Sequence, residues 1–147
     1  MFAPKRILVP TDFTDDSDRA LKEAVDIAKV FHAKVFLLHV DRDPQTAAGG
    51  DALGLDVLRE AERSDKLFAR ERMHEEIRKI SQDVDLDIEI EERHGRTHEE
   101  ILGYGAEKDV DLIVIEPHAK HGLLKSLTGS VTDRLVHKAH APVLVLH

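Results

Sequence analysis

Four short apolar runs rich in β-branched residues organise this chain: Ile7-Leu8-Val9, Val35-Phe36-Leu37-Leu38, Leu112-Ile113-Val114-Ile115 and Val143-Leu144-Val145-Leu146. A strand with one wet face alternates apolar and polar residues, whereas an unbroken apolar run needs cover on both faces, as strands inside a parallel sheet have. Parallel neighbours cannot be joined by a tight hairpin and need a long crossover, usually a helix. Between the first two runs, Leu21, Ala24, Val25, Ala28 and Phe31 recur at three- and four-residue spacing within Asp15 to His32. That pattern predicts an amphipathic helix with Thr14 or Asp15 as its N-cap.

The rest of the chain continues the alternation. Pro44 through Gly54 has loop composition. Val57 to Gln82 is highly charged with one apolar stripe at Ala69, Met73, Ile77 and Ile80, and reads as a long surface helix whose charges form a solvated face. Asp87-Ile88-Glu89-Ile90-Glu91 alternates strictly, predicting a strand with one wet face near a sheet edge. Further helices are expected from Thr97 to Lys108, packing Ile101, Leu102 and Ala106, and from Ser130 to Ala139, with Pro142 before the last strand. The order βαβαβαβαβ implies an open parallel α/β sheet with helices on both faces. The 147 residues suit one domain, residues 1–147.

Composition narrows the function classes. A formal net charge of −8 argues against nonspecific binding to nucleic acid or an anionic membrane. No apolar run approaches the roughly 20 residues of a membrane span. The absence of cysteine removes disulfides and thiolate chemistry. Met1 to Arg6 leads straight into a strand without the apolar stretch of a secretory signal, so cytoplasmic residence is expected. The final run lacks alternation, and an apolar strand at a sheet edge invites pairing, which predicts a homodimer through Val143–Leu146.

Two places carry ligand-binding chemistry. Val9-Pro10-Thr11-Asp12 ends the first strand, where open α/β sheets bind ligands and where Asp12 suits ribose hydroxyls or a base amine; its plain role is a turn or helix cap. Gly129-Ser130-Val131 opens a helix, whose unpaired N–H groups and partial positive charge suit an anion; its plain role is an N-cap. Neither a P-loop, nor Gly-x-Gly-x-x-Gly, nor Gly-x-Ser-x-Gly occurs. His118 and His121 near Glu116, and His94 with His98, have metal-ligating chemistry, but their spacing matches no zinc motif and no metal set is assigned. His39 reads as a satisfied buried or capping histidine. No nucleophile, base and orienting residue assemble into a catalytic set.

Taken in order, Ile7-Leu-Val-Pro-Thr-Asp-Phe-Thr14, Ala33-Lys-Val-Phe-Leu-Leu-His-Val40, Gly95, Ile101, Asp111-Leu-Ile-Val114, Gly129-Ser-Val131 and Ala141-Pro-Val-Leu-Val145 resemble the universal stress protein family over nearly the full length. The resemblance implies an adenine nucleotide alpha hydrolase-like fold with strand order 3-2-1-4-5, dimerisation through the last strand and a role in stress resistance. Family members that bind ATP carry Gly-x2-Gly-x9-Gly-Ser/Thr, which falls here on Glu116, Ala119, Gly129 and Ser130. By that resemblance the nucleotide pocket comprises Pro10, Thr11, Asp12, Val40, Ile115, Glu116, Ala119, Gly129, Ser130 and Val131.

Spacing is kept, but the first two glycines are lost. Ala119 adds a Cβ where close backbone approach is preferred. Glu116 adds a charge: two like unit charges about 4 Å apart repel by roughly 4 kcal/mol at an effective dielectric of about 20, roughly a thousandfold in affinity unless a cation, an outward rotation, Lys120 or Lys125 relieves it. The expectation is therefore a dimeric stress-response protein whose nucleotide site is weakened or repurposed and which acts by binding an unidentified protein or small molecule. ATP or AMP is disfavoured as a cofactor by Glu116 and Ala119. The second reading is an ATP- or AMP-binding sensor of the same fold, with slow nucleotide hydrolysis ranked below both.

Overall fold

A computed structural model describes residues 1–41, 55–83, 85–117 and 129–147. The elements are β1 (Arg6–Thr11), α1 (Asp15–Phe31), β2 (Lys34–Asp41), α2 (Leu55–Ile80), β3 (Ile88–His94), α3 (Thr97–Glu107), β4 (Leu112–Ile115), α4 (Gly129–Lys138) and β5 (Val143–Val145). The strands form one parallel sheet in the order β3-β2-β1-β4-β5, so the alternating strand at Ile88 lies at one edge and the final strand at the other.

Residue parity divides the core. Ile7, Val9, Val35, Leu37, Leu112 and Val114 pack against Ala20, Leu21, Ala24, Val25 and Ala28 of α1 and Met73 of α2. The intervening residues Leu8, Phe36, Leu38, Val40, Ile113 and Ile115 pack against Ile101 and Tyr104 of α3 and Val131 and Leu135 of α4. Cover on both faces explains the unbroken apolar runs, each large side chain contributing about 1.5–3 kcal/mol.

The ends of the elements follow local chemistry. Thr14 is the N-cap of α1, in a reciprocal capping box with Ser17. His32 ends that helix in a left-handed conformation, φ 53°, its N–H donating to the Ala28 carbonyl, one residue earlier than periodicity predicts. Asp111 fixes the start of β1 by accepting from the Lys5 and Arg6 backbone N–H groups at 2.9–3.1 Å. Gly95 joins β3 to α3 at φ 144°, where an added Cβ would meet Glu100 Oε1 at 2.8 Å.

The alternation predicts a strand from Asp87 to Glu91, but β3 runs on to His94 because it stays paired with β2 through His39↔Glu92, Val40↔Arg93 and Asp41↔His94. Glu92 thereby takes an inward position. The last strand is short, Val143–Val145, and half-buried. The loop expected from Pro44 to Gly54 lies outside the described residues.

Candidate functional site

The crevice forms where the strand order reverses. β1 is central, paired with β2 from Arg6↔Lys34 through Thr11↔His39 but with β4 only at Ile7↔Leu112 and Leu8↔Ile113. Pro10 has no N–H with which to extend a ladder, so the carboxyl ends of β1 and β4 part there. Such a switch point is where open α/β sheets hold ligands.

Asp12 sits on the β1 side of this crevice, half-buried. Its Oδ1 accepts from the Thr14 backbone N–H at 3.3 Å and from Thr14 Oγ1 at 2.5 Å, across Phe13 in a left-handed conformation with φ 63°. The turn role weighed for Asp12 is thus present, and it holds the carboxylate at the lip of the strand. Val40 is 5% exposed and gives its side chain to the α3/α4 core, leaving its backbone as the polar contribution. Ile115 packs in the same cluster. Gly129, Ser130 and Val131 open α4, with Ser130 exposed and Val131 buried beside Leu135. Ala119, Lys120, Lys125, His118 and His121 lie outside the described residues.

Thr11 turns the other way. Its hydroxyl lies 2.9 Å from both oxygens of Glu76 on α2 and 3.0 Å from Ser17 Oγ, and its carbonyl faces His39 Nδ1 at 2.8 Å. Glu76 is 3% exposed, and burial, followed by a hydrogen bond with Asp18, pushes its pKa up to about 8. Sequence reading placed α2 correctly but treated its charges as solvated. Glu76 lies three residues beyond Met73 and one before Ile77, on the edge of the apolar stripe, and that spacing was the available signal.

Glu116 has a partner that sequence reading did not supply. Arg19 of α1 donates through Nε to Oε1 at 2.9 Å and Oε2 at 3.1 Å, and through Nη2 to Oε1 at 2.7 Å. The same guanidinium also bonds Asp16. Its hydrogen bonds to Glu116 hold Arg19 more firmly protonated than usual. Glu116 is 8% exposed, and strand parity places it on the α1 face with Leu112 and Val114. Its charge is therefore neutralised and drawn toward α1, so the repulsion expected of an unrelieved carboxylate does not apply in full.

The histidines separate. His94 lies with Glu92 and Asp41 at the ends of β3 and β2, whereas His98 lies on α3 with its Nδ1 3.3 Å from Arg134 Nη1. Burial first, and then the charge of Arg134, lowers the His98 pKa. His39 is held by the Thr11 carbonyl and stacks on Phe13 with ring centroids 4.4 Å apart. Glu92 is buried, and the loss of water raises its pKa. No helix among the described residues is long and apolar enough to cross a membrane.

Residues 4–147 match the model of the universal stress protein family. The chain is 35% identical over 146 residues to universal stress protein MJ0531 of Methanocaldococcus jannaschii, spanning 97% of this chain and 81% of that protein. Among solved structures, the protein MJ0577 superposes with a TM-score of 0.79 at 28% identity, over 99% of this chain and 96% of that one. Universal stress protein UspA from Lactobacillus plantarum superposes with a TM-score of 0.77 at 26% identity, over 97% of each chain. The agreement spans the sheet order, the strand-end motifs and nearly the whole length, and the chain belongs to the universal stress protein family.

Proposed function

We propose that this universal stress protein acts by binding rather than catalysis, through an adenine-nucleotide pocket of reduced affinity between the carboxyl ends of β1 and β4. Pro10, Thr11, Asp12 and the backbone of Val40 bound its ribose and base side, and Gly129, Ser130 and Val131 its phosphate side, with Ile115 and Glu116 at the end of β4 and Ala119 assigned to it by the family motif. The observation that carries this reading is the Arg19–Glu116 pair. It replaces the family's first glycine with an anchored side chain, yet removes most of the electrostatic objection to a phosphate. The weakening is then steric, from the anchored Glu116 and the Cβ of Ala119, and smaller than the roughly thousandfold that a bare carboxylate would impose.

Calorimetry with ATP, ADP and AMP, with and without Mg²⁺ or Mn²⁺, tests this. Binding weaker than about 10 μM, which corresponds to about −7 kcal/mol, is expected. Glu116→Gln should change it less than about tenfold, whereas Glu116→Gly with Ala119→Gly should tighten it. Tighter ATP binding by the unaltered chain would instead establish the sensor reading, which the neutralised Glu116 favours. No binding at millimolar nucleotide would show a repurposed crevice. Phosphate release above a Ser130→Ala, Asp12→Ala control would reject the non-catalytic assignment.

The same proposal includes cytoplasmic residence and a homodimer through β5. Val143 and Leu144 line an open apolar groove of about 320 Å³ with Phe2, Ile27 and Phe31, beside a strand at the sheet edge. A twofold partner strand would cover that surface. Light scattering that finds only a 16.5 kDa species at micromolar concentration would refute the dimer.

A further inference from the structure

The carboxyl ends of β2 and β3 bring together His39, Asp41, Glu92 and His94. Residues two apart on a strand share a face, and the register pairs His39 with Glu92 and Asp41 with His94, so the four stand at the corners of a square on the face covered by α1 and α2. The ligating atoms of Asp41, Glu92 and His94 all lie within 4.8 Å of one another. Glu92 Oε1 is 3.2 Å from His94 Nε2, and His39 Nε2 is 3.4 Å from Asp41 Oδ1. Ligands bonded tetrahedrally at about 2.1 Å stand about 3.4 Å apart, so the 3.2 and 3.4 Å spacings fit, with His39 standing beside Asp41 at the edge of the mutually close set of three.

Two further observations point to a cation. Glu92 is 4% exposed, and neither of its carboxylate oxygens has a hydrogen-bond partner among the described residues. A buried carboxylate without hydrogen bonds is a costly arrangement. His94 Nε2 lies near Oε1 without making a hydrogen bond to it, and the charge of Lys66 on α2 acts only through space. His39 supplies the second observation. Its Nδ1 faces a carbonyl oxygen, which only accepts, so Nδ1 carries a proton and Nε2 is the ring atom turned toward Asp41. Pinning one ring nitrogen on a backbone carbonyl is how proteins commonly orient a metal-binding imidazole.

We propose that His39, Asp41, Glu92 and His94 bind a divalent transition cation of the zinc and cobalt class. Two imidazoles with two carboxylates match that class, whereas magnesium and calcium take oxygen ligands. The cation would neutralise Glu92, tie the edge strand β3 to β2 and stand on the opposite side of β2 from the Val40 side chain, which packs in the α3/α4 core. It lies on the α1/α2 side of the sheet and adjoins the proposed nucleotide pocket through the His39–Thr11 contact at 2.8 Å.

The test uses the full chain, stripped of metal with a chelator and titrated with Zn²⁺ alone by calorimetry and with Co²⁺ by visible absorption. One Zn²⁺ per chain at micromolar affinity or better is expected, with a Co²⁺ spectrum of low coordination number. Glu92→Gln and His94→Ala should each weaken binding by at least about tenfold. Substitution of the exposed His140, or Asp12→Ala in the nucleotide crevice, should leave it unchanged, so this result stands apart from any nucleotide measurement. Thermal melts separate a ligand from a structural ion pair. Metal-free Glu92→Gln should melt no lower than the unaltered chain and should lose the rise that Zn²⁺ gives it. Equal Zn²⁺ affinity in Glu92→Gln and His94→Ala, no binding below about 100 μM, or a lowered metal-free melt with binding retained would each overturn the proposal.

Discussion

Replacing Glu76 with glutamine should alter the dependence of stability on pH far more than it alters the fold. The carboxyl group is 3% exposed between α2 and the end of β1, accepts from Thr11 Oγ1 at 2.9 Å, and has its pKa raised from 4.5 to about 8, chiefly by burial and then by Asp18. An unfolded chain releases this proton near pH 4.5, while the folded protein keeps it to about pH 8. Between those values the folded state binds more protons, so stability must fall as pH rises. The contribution is complete below the unfolded pKa and is lost as pH climbs through the folded one. At 1.36 kcal/mol per pH unit, the loss between pH 5 and pH 7 is roughly 3 kcal/mol, a large part of a small domain's stability.

The amide has nearly the same shape, can accept from Thr11 through Oε1 and donate toward Asp18 through Nε2, and does not titrate. Stability of Glu76→Gln relative to the unaltered chain should therefore rise by roughly 3 kcal/mol from pH 5 to pH 7 and level off above about pH 8. Groups such as Glu89, whose pKa is lowered first by its hydrogen bond from Lys34 and then by that from Lys108, are common to both proteins and cancel in the difference. Urea unfolding at half-unit pH intervals, extrapolated linearly, measures it. A difference flat to within about 0.5 kcal/mol from pH 5 to pH 8 would show that the buried carboxyl ionises as readily folded as unfolded, and the reasoning would fail.

Tyr104 is fully buried with its hydroxyl oxygen lacking a hydrogen-bond partner among the described residues, and burial pushes its pKa up to about 12. Tyr104→Phe should be neutral or stabilising by up to about 1 kcal/mol in denaturant unfolding, since an unsatisfied polar atom is removed and the ring contacts remain. Thr14→Ala removes the N-cap side chain of α1 and should cost about 1 kcal/mol, with Thr14→Ser recovering most of it. Arg19→Ala leaves the buried Glu116 without its bidentate partner, so it should lower the melting temperature and weaken ATP binding further. Adding Glu116→Gly to Arg19→Ala should restore both, and a double variant no better than the single one would mean that the pair is incidental.

The sheet was legible because each buried strand announces itself by an unbroken apolar run, and helix α1 because its stripe and its Thr14 cap agree. Strand order came with the family resemblance, not from periodicity, since apolar runs alone do not say which strand neighbours which. Arg19 was not legible. An arginine on the polar part of a helix has nothing in its own surroundings to mark a carboxylate ninety-seven residues later in the chain as its partner. The loop histidines and Ala119 fall outside the described residues, so that part of the crevice still rests on the motif alone.

A single structural step accounts for what was missed around the strands. On the face covered by α1 and α2, the inward positions are apolar along most of each strand and turn polar at the carboxyl end: Val9 gives way to Thr11, Leu37 to His39, Ile90 to Glu92 and Val114 to Glu116. On the opposite face Leu38 is followed by Val40 and Ile113 by Ile115, and no such change occurs. Thr11, His39 and Glu92 are registered across three strands as one row. Thr11 is met by Glu76, His39 by the Thr11 carbonyl and Glu116 by Arg19, each on or beside the strand ends. Glu92 is the member whose oxygens make no hydrogen bond among the described residues, with only the His94 ring beside them, although it is buried as Thr11 and Glu116 are. Because buried polar groups are nearly always satisfied, the consistent pairing of its neighbours argues that Glu92 too has a partner, and two adjacent histidines and an aspartate make a cation the partner of best-matched chemistry.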